Sequence, residues 1–113
     1  MCAALIAGIA TSPAYAYDFQ LPNANGSATV WLTRDAGFLW EVCDDAPDGM
    51  RAMATISTSY DSITLTAAGT AGTCDEGRLY PNPLPGETVN VKVWVQNGAN
   101  GAQQHVRRGI YYP

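Results

Sequence analysis

The chain has 113 residues, ten acidic and six basic side chains, a net charge of −4 and one histidine. That acidic balance, with no basic stripe, argues against nucleic acid as a partner. Gly, Pro, Ser, Thr, Asn and Asp are plentiful, while lysine is reduced to Lys92 and glutamate to three residues, which is not the composition of helices.

Residues 1–16 read as a secretory signal peptide. Cys2 to Ala10 is a small apolar run, too short for the roughly twenty residues a bilayer requires. Thr11-Ser12-Pro13 breaks it, and Ala14-Tyr15-Ala16 supplies the small-x-small pattern of a cleavage site. No Lys or Arg precedes the run, which places the expected start of the protein upstream of Met1. Residues 17–113 are then a single exported domain, free of the membrane after processing. Losing the leader also removes Cys2 and leaves the even pair Cys43 and Cys74, expected to bond in an oxidising compartment. Closing that loop should add roughly 3–4 kcal/mol of stability.

From there the dominant signal is alternation with period two, broken by turn residues every eight to twelve positions. Residues 28–33 are the first predicted strand, after the turn Asn23-Ala24-Asn25-Gly26. Residues 38–43 are the second, with Phe38, Trp40 and Val42 on one face. Residues 50–60 form a long third strand whose Ala52, Ala54 and Ile56 face one way. Residues 63–67 alternate again, and a small-residue connection leads to Cys74. Arg78-Leu79-Tyr80 reads as a short edge strand before Pro81, Pro83 and Pro85, which forbid ladder bonding and make a rigid crossover. Residues 88–96 are the clearest strand, with Val89, Val91, Val93 and Val95 inward. The turn Asn97-Gly98-Ala99-Asn100-Gly101 then leads to a last strand over 103–112. About seven strands and no helical period predict an all-β fold, a small antiparallel β-sandwich, with a small β-barrel as the alternative.

The stretch Cys43-Asp44-Asp45-Ala46-Pro47-Asp48-Gly49 raises the question of chemistry. A helical calcium loop needs oxygen ligands at its first, third, fifth and twelfth positions, but counting from Asp44 places Ala46 third and Thr55 twelfth. That motif fails, which leaves only a looser calcium site. A glycosidase pair would need an apolar wall to raise one carboxyl, and none is evident. A tight hairpin turn explains more: Pro47 at the corner, Asp48 next, and Gly49 with positive φ. On that reading Asp44 and Asp45 keep the strand end wet.

No catalytic residue, metal or cofactor is expected. His105 alternates with Arg107 on the last strand and reads as a solvated residue, and no nucleophile elbow accompanies it. Asn25-Gly26-Ser27 fits a glycosylation sequon but is better explained as a turn. The aromatic residues hold more interest. Trp94 falls opposite the four valines, Trp31 has the same ambiguity, and Tyr111 and Tyr112 follow Arg107-Arg108. They either cover a second sheet or form one exposed patch. As a patch, Trp94, Trp31, Tyr111, Tyr112 and Arg108 are the candidate binding residues.

The segment FLWEVCDDAPDGMRAMATI, followed by AAGTAGTC, resembles a group of short secreted bacterial proteins that includes some of the spore-associated type. The shared features are a strand ending in Cys-Asp, an Asp-Gly turn, an Ala-rich alternating strand and Gly-Thr-Cys. The resemblance covers about a third of the chain. It implies export, one disulfide and a β-fold, and brings no catalytic residues. The expected function is non-catalytic binding of another extracellular protein, as an interaction protein or part of a secreted assembly. A carbohydrate or cell-wall binding module, its partner a polysaccharide, is the first alternative, and a small secreted hydrolase the second.

Overall fold

A computed structural model describes residues 17–113, and the predicted signal peptide lies outside the described residues. The alternating stretches become eight strands: β1 (Phe19–Pro22), β2 (Ala28–Thr33), β3 (Leu39–Asp44), β4 (Arg51–Ser57), β5 (Ser62–Ala67), β6 (Cys74–Gly77), β7 (Val89–Gln96) and β8 (Gln104–Tyr111). They form two four-stranded antiparallel sheets, ordered β1-β2-β3-β6 and β5-β4-β7-β8. The fold is therefore a β-sandwich, as the pattern predicts.

The sheets do not close into the alternative barrel. At one seam the Thr66 N–H donates to the Asp75 carboxylate at 2.9 Å. At the other the Ala24 N–H donates to the His105 carbonyl at 3.0 Å. Neither seam carries a continuous ladder.

The inward residues meet in one core. Val30, Leu32, Trp40 and Val42 from the first sheet face Ala52, Ala54, Ile56, Val91, Val93 and Val95 from the second. Ala52 and Ala54 on β4 and the large ring of Trp40 on β3 are all fully buried, so small and large side chains share one core. Phe19, Trp40 and Tyr111 join the layers edge to face, with ring centroids 5.6–6.0 Å apart.

Three features depart from the sequence reading. β1 was not foreseen, because FQLP is short and ends in proline. The edge strand is Cys74–Gly77 rather than 78–80, since the disulfide sets Cys74 opposite Cys43 and brings the next three residues alongside β3. Arg78 instead turns back, its guanidinium donating to the carbonyls of Ala36 (2.8 Å) and Gly37 (3.2 Å). Leu79 drops into the core. Finally, residues 45–50 do not form a hairpin turn. β3 and β4 belong to different sheets, so the stretch is a corner between layers, with Gly49 at φ 75°.

Candidate functional site

At the acidic corner the three carboxylates accept hydrogen bonds from three different donors. The Asp48 carboxylate accepts the Met50 N–H at 2.9 Å, and that of Asp45 accepts the Thr29 hydroxyl. Asp44 is only 2% exposed, which overturns its reading as a residue that keeps the strand end wet. Its backbone N–H donates to the Thr73 carbonyl at 2.8 Å and its carbonyl accepts the Gly72 N–H at 2.7 Å, so the 68–73 loop folds over it. Its carboxylate accepts the Ala46 N–H at 3.2 Å. Burial raises the Asp44 pKa above the ordinary 3.8 against that hydrogen bond, and the charges of Asp48 and Asp45 add to the rise. These bonds fold the corner on itself and tie it to β2 and to the 68–73 loop.

One group of potential metal ligands does converge among the described residues: Glu41, Cys43 and Cys74. The two sulfurs are bonded to each other, which removes them as thiolate ligands. Glu41 is half-buried on the outer face, where burial and then the neighbouring Glu76 charge raise its pKa above 4.5.

The sequence-selected aromatics do not form one exposed patch. Trp94 is only 4% exposed; its indole N–H donates to Gln96 Oε1 at 2.7 Å, and the Gln96 amide donates to the Gly98 and Ala99 carbonyls. The turn 97–101 is thereby wired to the ring. Tyr111 belongs to the core cluster, and Trp31 on the opposite sheet lies beside Tyr17, with centroids 4.3 Å apart. Only Tyr112 and Arg108 are exposed. His105 is also exposed, with φ at 54°, where the β7–β8 register shifts between Val93 and Val95.

The exposed apolar surface gathers elsewhere, at one end of the sandwich. Tyr60 lies in the β4–β5 turn, and Tyr80 and Leu84 in the proline crossover entering β7. Ile110 and Tyr112 lie at the end of β8, which pairs with the start of β7. The Tyr80 N–H donates to the Asp61 carboxylate at 2.8 Å, holding crossover and turn together. Tyr80 is 86% exposed and Tyr112 69%. The sequence reading places Tyr60 in the third strand and Tyr80 in an edge strand, whereas β4 ends at Ser57 and β6 at Gly77, which leaves both tyrosines in connections. The opposite end carries the turns 23–27, 45–50, 68–73 and 97–103, built largely of Gly, Asn, Asp, Ala and Thr.

No family model, curated protein or solved structure matches this chain.

Charge is sorted by layer. The strands of the first sheet contain Glu41, Asp44, Asp75 and Glu76 and no base. Those of the second contain Arg51, Lys92, Arg107 and Arg108 and no acid. The outer face of the second sheet holds an open groove of about 770 Å³, with side chains of Thr55, Ser57, Asn90, Lys92, Arg108 and Ile110 along it.

Proposed function

We propose that this protein is a secreted, non-catalytic binding protein whose partner is another extracellular protein. The observation that carries this reading is the concentration of Tyr60, Tyr80, Leu84, Ile110 and Tyr112 at one end of the sandwich. Tyrosine is enriched in protein interfaces because it offers large contact area at low entropic cost and a hydroxyl that tolerates water. Three prolines between Tyr80 and Gly86 stiffen the segment that presents Tyr80 and Leu84, so little order is lost on docking. Export is supported by the disulfide; among the described residues no helix is long and apolar enough to cross a membrane.

The test is capture from native culture fluid with residues 17–113 as bait, beside a bait carrying Tyr80→Ser and Leu84→Ser. A stoichiometric protein retained by the first and lost by the second supports the reading. Equal retention by both baits, or none by either, refutes it.

A further inference from the structure

We propose that the outer face of the second sheet is a second binding site, adjoining the apolar end at Ile110, and that its ligand is an acidic glycan: pyranose units bearing carboxylates. The central observation is a pair of like charges. Lys92 on β7 and Arg108 on β8 are directly opposite in register. Side chains so placed have Cβ atoms about 5 Å apart, and like charges there repel. No strand of that sheet supplies an acid to relieve them. The Lys92 ammonium lies 5.0 Å from the centroid of the Trp94 ring, which holds the lysine on this face, and Arg108 is exposed. A ligand carboxylate between the two cations would turn the repulsion into two charge-assisted hydrogen bonds.

The remainder of the groove selects the ligand class. Thr55, Ser57 and Asn90 line it with two hydroxyls and an amide, the donors and acceptors that sugar hydroxyls use. Ile110 adds an apolar surface for the C–H face of a ring. Arg108, Ile110 and Tyr112 alternate along the chain, so the series that borders the groove leads toward an exposed tyrosine. An acidic peptide fits less well. Strand peptides dock on sheet edges, whereas here the backbone groups of β4 and β7 are already paired on both sides.

The experiment is calorimetric titration of the mature protein, 17–113, with a galacturonic acid hexamer, with maltohexaose and hexaglutamate as the neutral and peptidic probes. Trp94 fluorescence, read as the difference from a Trp94→Phe protein, reports locally because Lys92 lies over its ring. The proposal expects saturable binding of the acidic sugar, weakened by salt. It further expects Lys92→Gln with Arg108→Gln to lower that affinity about tenfold or more, with the unfolding midpoint unchanged or raised. Absence of saturable binding, equal affinity of the double variant, or equal affinity for maltohexaose or hexaglutamate overturns it. The Tyr80→Ser, Leu84→Ser protein should still bind the sugar, so this site and the apolar end can fail separately.

Discussion

Trp40 shows how a single side chain can organise two layers. Its ring is fully buried against Phe19 and Tyr111, yet its indole N–H has no hydrogen-bond partner. An unsatisfied buried donor costs about 1–3 kcal/mol, and the burial of so large a ring offsets it. Trp40→Ala should therefore destabilise the fold by roughly 3–5 kcal/mol in a urea titration. Glu41 makes the opposite point on the outer face. Its pKa is raised by burial and by Glu76, so the folded state holds that proton more tightly than the unfolded chain. Its favourable contribution is complete below the ordinary value of 4.5 and is lost as pH rises through the folded value. Glu41→Gln should accordingly raise the unfolding midpoint at pH 7, and that gain should vanish as the pH is taken below 4.5.

Among the elements, β6 depends most on a covalent tie. It has four residues, pairs with β3 alone, and carries Cys74 opposite Cys43. The bond closes a loop with a sequence separation of 31. Replacing both cysteines by alanine should cost roughly 3–4 kcal/mol of stability in the chain-entropy model. Hydrogen exchange should rise first over 74–77, where no second strand holds the backbone. The predicted strands over 28–33, 50–60 and 88–96 contain the observed ones because their alternation records which face each residue buries. β1 and β6 left no such record: FQLP and CDEG are short, lie at sheet edges and take their strand form from a neighbour. The acidic corner was misread for a related reason. A Pro-Asp-Gly sequence specifies a chain reversal but not whether the next strand joins the same sheet or the facing one.

At the scale of the molecule, the sandwich is polarised twice, apolar against small-residue ends and acidic against basic layers. Tyr80→Ser with Leu84→Ser should leave the unfolding midpoint within about 0.5 kcal/mol of wild type, since both residues are exposed, while abolishing partner capture. Trp94→Ala should behave in reverse, lowering stability because the ring is buried and hydrogen-bonded to Gln96.

The sequence by itself determined the all-β class, the inward faces of the central strands and the cysteine pair, because burial periodicity and cysteine parity are local properties of the chain. Tertiary structure alone decided which aromatics are covered, which end is apolar, and that four acids fall in one sheet and four bases in the other. These depend on strand order, and strand order is set by packing between residues far apart in the chain. Alternation shows that Trp94 points away from the valines; only the neighbouring strand and turn determine whether anything covers it.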